Sequence, residues 1–154
     1  MAHVKLLVDT NVLIDYLSMR EPFYEKARLL MIGGYVGEFE LWMSSSQMTD
    51  LVYILSEGGS RQDVPTALRQ LKGLRSFVNV YPAGSHEIDA MLQGGWGDPE
   101  DHLMAEVALS LKADAIVTRN ESDYAESLIR AMSPEAFFTW MKSEHNLDYE
   151  EVEF

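Results

Sequence analysis

Val4-Lys5-Leu6-Leu7-Val8 is a short, mostly apolar run rich in strand formers, and the polar Asp9-Thr10-Asn11 closes it. The run predicts a buried strand. From Pro22 to about Gly33, apolar Phe23, Ala27, Leu30 and Met31 recur at helical spacing, with Pro22 suited to a first turn. Leu41-Trp42-Met43 predicts a second strand. Ser44 and Gln47 then form an S-x-x-Q capping box ahead of Met48, Leu51, Val52 and Leu55, a helix that Gly58-Gly59 ends.

Helical spacing returns between Asp63 and Leu74, and Phe77-Val78-Asn79-Val80-Tyr81 gives a β-rich run stopped by Pro82. Ser85 is placed to cap a helix from His86 to about Gln93, followed by a Gly94-Gly95-Trp96-Gly97 loop. Asp98-Pro99 opens a helix carrying Leu103, Met104, Val107, Ala108 and Leu111. A strand is expected at Ala115-Ile116-Val117-Thr118, an extended piece near Ile129 to Met132, and a last helix from Ser133-Pro134-Glu135. Strands alternating with helices at this spacing predict a three-layer α/β/α sandwich around a mainly parallel sheet. Such sheets bind ligands at the carboxyl ends of their strands.

Composition narrows the chemistry. The chain of 154 residues is 47% hydrophobic, enough for one domain with a real core and no need of disulfides or a structural metal. It has no Cys, which excludes thiolate nucleophiles, iron-sulfur clusters and cysteine-ligated zinc. A net charge of -13 argues against broad adhesion to nucleic acid or anionic membrane, while leaving room for a local, metal-bridged phosphate site. The first apolar run is interrupted by Lys5, and no stretch approaches the roughly 20 apolar residues of a membrane span, so a cytoplasmic protein without a targeting signal is expected. Residues 1–142 are read as the folded domain. Residues 143–154 carry Glu144, Asp148, Glu150, Glu151 and Glu153 and are expected to be a solvated acidic tail.

The strand-end rule selects a few of the 25 acids. Asp9 directly follows the first strand, and Thr10 and Asn11 can hold it by hydrogen bonds. Asp50 lies in the second turn of the helix after the second strand, as a half-buried carboxylate in need of a partner. Asp101 opens the helix that begins at Pro99, and Asp123 follows the Thr118 strand by five residues. Four carboxylates at one rim would repel one another without a cation, and oxygen ligands in this number favour Mg2+ or Mn2+ over zinc. The matching chemistry is metal-assisted hydrolysis of a phosphate ester. Several acids also have a plainer role: Asp98 as helix cap, Asp101 as a complement to the helix dipole, Asp123 as a turn residue, and Glu100 as a dipole complement, with an additional water-mediated contact as its other reading. His102, in a first helical turn, is expected at the surface.

Val8-Asp9-Thr10-Asn11-Val12-Leu13-Ile14-Asp15, Arg20-Glu21-Pro22-Phe23, Asp98-Pro99-Glu100-Asp101, Ala113-Asp114-Ala115-Ile116-Val117-Thr118-Arg119-Asn120 with Asp123-Tyr124, and Ser133-Pro134-Glu135-Ala136-Phe137 resemble, in order, a prokaryotic PIN domain of the VapC-like toxin class. The resemblance covers nearly the whole chain. It implies a metal-dependent ribonuclease site, with Asp9, Asp101 and Asp123 on acidic positions of the family. Many VapC-like proteins have Glu near the second acidic position, where Asp50 is one methylene shorter.

Together these features predict an endoribonuclease in which Asp9, Asp101 and Asp123, assisted by Asp50, hold one or two Mg2+ or Mn2+ ions for in-line attack on an RNA phosphodiester. Thr10, Asn11, Thr118 and Asn120 are expected to orient the carboxylates, and Arg119 to contact either a phosphate or a surface acid. The partners implied are an RNA substrate, a basic, partly disordered antitoxin-like protein and a second copy in a homodimer. An aspartyl phosphatase is disfavoured, because the acid it requires two residues after Asp9 is Asn11. The alternative from another class is a non-catalytic binding module whose acidic rim holds a basic peptide.

Overall fold

The computed structural model describes residues 3–145. Strand β1 (Lys5–Val8) forms the centre of a five-stranded sheet, joined by β2 (Glu40–Ser44), β3 (Val78–Tyr81), β4 (Ala115–Val117) and β5 (Ala131–Met132). Every pairing is parallel, and the strand order is β3-β2-β1-β4-β5. The helices are α1 (Thr10–Leu17), α2 (Tyr24–Val36), α3 (Met48–Leu55), α4 (Val64–Arg75), α5 (Ser85–Leu92), α6 (Pro99–Leu111) and α7 (Pro134–His145). This is the three-layer α/β/α sandwich that the alternation predicts.

The strand pleat explains the layers. Leu6 and Val8 point to one face, into a core with Val12, Leu13, Leu30, Leu51, Leu71 and Phe137 from α1, α2, α3, α4 and α7. Leu7 and Ile116 point to the other, against Met104, Val107, Ala108 and Leu111 of α6. Leu6, Leu7 and Val8 have no exposed surface, and each fully buried side chain of this size contributes about 1.5 to 3 kcal/mol. A central strand of a parallel sheet is hydrophobic on both sides for this reason.

Two local differences from the sequence reading position the site. Helix α1 starts immediately after β1, with Asp9 as its N-cap accepting from Thr10 N–H, where only a polar break was expected. The S-x-x-Q box is present, but it closes a 3-10 turn at Ser45–Gln47 ahead of α3, so Asp50 lies in the first turn of that helix and not its second. Ser85 is the first residue of α5 and not its cap; Gly84 N–H donates to Glu87 instead. Helix α7 runs through His145, taking in the first three residues of the expected acidic tail, and residues 146–154 lie outside the described residues. Among the described residues, no helix is long and apolar enough to cross a membrane.

Candidate metal centre

The chain runs outward from β1 through β2 to β3, then returns to the other side of β1 for β4 and β5. The β1/β4 boundary is therefore a topological switch point, where the connections diverge and leave a crevice beyond the strand ends. Asp9 and Thr118, the residues that follow β1 and β4, meet there. Asp9 N–H donates to Val117 O at 2.9 Å, and Thr118 Oγ1 donates to Asp9 Oδ2 at 2.8 Å. Thr10 N–H donates to the other oxygen, Oδ1, at 2.7 Å. Both carboxylate oxygens thus have a fixed donor.

The Thr118 hydroxyl is fully used. It donates to Asp9 and accepts from Asn11 Nδ2 at 3.3 Å and Asn120 N–H at 3.0 Å, filling its one donor and two acceptor positions. Gln47, held by its own contact with Ser44 N–H at 2.7 Å, donates from Nε2 to Val8 O and to Thr10 Oγ1. It ties the ends of β1 and β2 together. Sequence reasoning placed Gln47 only in the capping box; its location just after a strand and just ahead of a mostly apolar helix was the available signal for more.

Around Asp9 a pocket of about 670 Å3 opens to solvent, lined by Asp50, Glu100, Asp101 and Asp123 as well as Thr10, Asn11 and Asn120. Tyr53 and Ile54 of α3 and Leu103 of α6 supply apolar parts of the wall. The pocket holds all four predicted acids and adds Glu100. Asp9 and Asp101 are half-buried, whereas Asp50, Asp123 and Glu100 are exposed at the mouth. Asp50 is therefore not the half-buried carboxylate expected, because the first turn of α3 faces the open cleft.

The charges in this pocket act on one another. Burial, then the charges of Asp98, Asp9 and Asp123, push the Asp101 carboxyl up to about 6. Asp9 is also raised: burial outweighs the hydrogen bonds from Thr118 and Thr10 that favour its charged form. Glu100 is raised by a hydrogen bond shared with Asp50, by partial burial, and by the charges of Asp50, Asp98 and Asp101. The acids fall into two groups, Asp9-Asp101-Asp123 and Asp50-Glu100.

Beneath the first group lies Tyr124, 3% exposed. Its hydroxyl is pushed upward in pKa by burial and by the charges of Asp9, Asp101 and Asp123; it lies close to the Asp9 and Asp101 carboxyls without meeting full hydrogen-bond geometry with either. Trp96 packs its edge against Tyr124 and stacks on His102, centroids 5.0 Å apart. His102 is consequently buried, contrary to the surface position expected, and its Nε2 lies 3.2 Å from Glu106 Oε1. The Gly94-Gly95-Trp96-Gly97 loop covers it, a long-range packing that helical spacing does not reveal.

Two residues take plainer roles. Asp98 caps α6 by accepting from Glu100 N–H at 2.8 Å. Arg119 does not reach the pocket; its Nε donates to Asp15 at 2.6 Å, and its guanidinium lies 4.0 Å from the centre of the Phe23 ring. Asp15 is 1% exposed, so the acid partnering Arg119 belongs to the core and not the surface.

The family model for the PIN domain matches residues 5–122. This chain belongs to the PIN domain family. No curated protein matches it by sequence. Solved structures similar to this PIN domain include VapBC2 from Rickettsia felis bound to a DNA fragment from its promoter, at 16% identity, TM-score 0.61, covering 84% of this chain and 98% of that one. VapBC-1 from nontypeable Haemophilus influenzae is similar at 21% identity and TM-score 0.61, covering 86% and 99%. PAE2754 from Pyrobaculum aerophilum is similar at 20% identity and TM-score 0.61, covering 92% and 97%. At these identities the likeness shows the fold.

The donor set suits a hard divalent cation, since the pocket offers carboxylate, hydroxyl and amide oxygens. Among the described residues, however, no three acid or histidine side chains converge closely enough to hold a metal as they stand. The chemistry fits; the side chains are splayed.

Proposed function

We propose that this PIN domain is a Mg2+- or Mn2+-dependent endoribonuclease of the VapC-like toxin kind. The observation that carries the proposal is the pocket at the switch point, where the charges of Asp9 and Asp123 raise the proton affinity of Asp101 and where Asp50 and Glu100 stand across the mouth. Like charges gathered at this density are costly without a counterion.

A divalent cation in this pocket supplies charge stabilisation for a phosphodiester and lowers the pKa of water. Asp9, oriented by Thr118 and Thr10, is the fixed ligand, with Asp101 and Asp123 completing the set and Asp50 with Glu100 as outer acids. Thr118, Asn11 and Asn120 hold Asp9 through one hydroxyl, and such supporting bonds commonly change metal affinity by about 10 to 100-fold. Tyr53 and Ile54 give the pocket an apolar side suited to the face of a nucleobase beside the phosphate. With no Cys in the chain, thiolate catalysis does not compete.

The partner proposed is an antitoxin-like protein, in keeping with the VapBC assemblies among the similar structures. A cationic side chain entering the carboxylate pocket would replace the metal there, a form of inhibition that the net charge of -13 favours at long range. A homodimer and a cytoplasmic location belong to the same proposal.

The splayed side chains favour a second reading, a non-catalytic module whose acidic pocket holds a basic peptide. Incubating the protein with a panel of structured RNAs, with and without Mg2+ or Mn2+, separates the two. The nuclease releases fragments only with metal, and the binding module releases none at any metal concentration.

A further inference from the structure

Asp9 and Asp101 are held very differently. Each oxygen of Asp9 has a donor, from Thr10 N–H and from Thr118 Oγ1. Asp101, in the first turn of α6, has the Tyr124 hydroxyl near its carboxyl and no such pair of fixed donors. The Tyr124 hydroxyl, buried close to both acids, meets full hydrogen-bond geometry with neither. A phenol O–H left unpaired in the interior is destabilising, so its retention calls for an arrangement in which it is satisfied.

That arrangement follows from the splayed state of the carboxylates. To share a cation, Asp9 and Asp101 must draw closer together, and the Tyr124 hydroxyl lies near both carboxyls. We propose that Tyr124 is a positioning residue whose hydroxyl donates to Asp101 when the carboxylates close on a divalent cation. Closure then satisfies two groups at once: the cation gains a ligand, and the buried hydroxyl gains an acceptor. Trp96, packed edge-on against the ring and stacked on His102, keeps the phenol from swinging away. This inference rests on the metal site proposed above.

The test is Mn2+ binding to the whole chain by titration calorimetry, for wild type and Tyr124→Phe, together with their metal-free melting temperatures. Removing the hydroxyl should weaken Mn2+ binding roughly tenfold, while the metal-free protein melts at the same temperature or higher because an unpaired buried group is gone. A packing role would lower the metal-free melting temperature and leave affinity unchanged. Equal Mn2+ affinity in the two proteins overturns the assignment. If wild type itself binds no Mn2+, the metal site fails and Tyr124 with it.

A spectroscopic arm separates Tyr124 from general loss of affinity. With 13Cζ-labelled tyrosine, the Tyr124 resonance should move when Mg2+ is added to wild type and stay fixed in Asp101→Ala at the same Mg2+ concentration. A resonance that ignores Mg2+ in wild type, while calorimetry records binding, also overturns the proposal.

Discussion

Asp101 carries the clearest electrostatic consequence of the pocket. Its carboxyl is raised to about 6 in the folded, metal-free protein, against an ordinary value near 3.8. A raised carboxyl means that the folded state binds protons more tightly than the unfolded chain, so metal-free stability should fall as pH rises from about 4 through about 6. Denaturant unfolding followed across that range in chelator checks the sign, and Asp101→Asn should flatten the slope. The same substitution should leave the metal-free protein as stable as wild type or more so, and shrink the metal-induced rise in melting temperature. A pure cap role predicts the reverse: slightly lower metal-free stability and an unchanged response to metal.

Arg119 belongs to the same scale but to a different fate. Its guanidinium is the partner of Asp15, a carboxylate with almost no exposed surface. Arg119→Ala would leave that charge unpaired in the core, at a cost of about 3 kcal/mol, read as a lower urea midpoint. RNA cleavage measured at a temperature where the variant stays folded should change far less than it does in Asp9→Asn, because Arg119 does not line the pocket. A stable Arg119→Ala protein with lost RNA binding would return Arg119 to the phosphate role.

At the scale of elements, helix α2 shows how closely the layers are fitted. A Cβ on Gly33 would lie 2.3 Å from Phe39 Cζ, and Phe39 is 1% exposed and packed edge-on against Phe137. Ala in place of a helical Gly gains at most about 1 kcal/mol of propensity. Overpacking a fixed aromatic ring costs about 1 to 3 kcal/mol, so Gly33→Ala should destabilise, with a melting temperature below wild type. A melting temperature above wild type would mean that the ring has room to move.

The strands and most helices were legible because burial writes itself into hydrophobic period. Helix α1 was not, because Asp9 serves both as the residue closing β1 and as the cap of the next helix, leaving no loop between them. Thr10 and Asn11 look like a turn for the same reason: their side chains reach across to Gln47 and Thr118, and neither contact is visible as a local pattern. The acids of the pocket were legible from strand ends and helix starts. Glu100 reads as a dipole complement or a water-mediated contact, and Tyr124, Gln47 and the burial of His102 depend on contacts between elements far apart in the chain.

For the whole molecule, the parallel sheet with a switch between β1 and β4 explains why so acidic a chain keeps a concave pocket at one edge. The overall charge of -13 repels RNA at long range, so productive encounter should depend on divalent cation more than on monovalent salt. The proposed antitoxin-like partner should behave in the opposite way: its binding weakens as NaCl rises, since attraction between opposite charges is screened over about 10 Å at 0.1 M. Fluorescence anisotropy of a labelled basic segment across a salt series reads this directly, and salt-independent binding would point to an apolar groove instead.

The most direct measurement is cleavage of structured RNA by wild type and Asp9→Asn, each purified in chelator and then supplied with Mn2+ or left without it. Asp9 is the best-anchored acid, so its loss should remove metal-dependent cleavage while circular dichroism shows the fold intact. Fragments appearing only for wild type with Mn2+ are the predicted result. Equal cleavage by both proteins, or none by wild type at any Mn2+ concentration on any RNA of the panel, would contradict the assignment of this pocket as a nuclease centre.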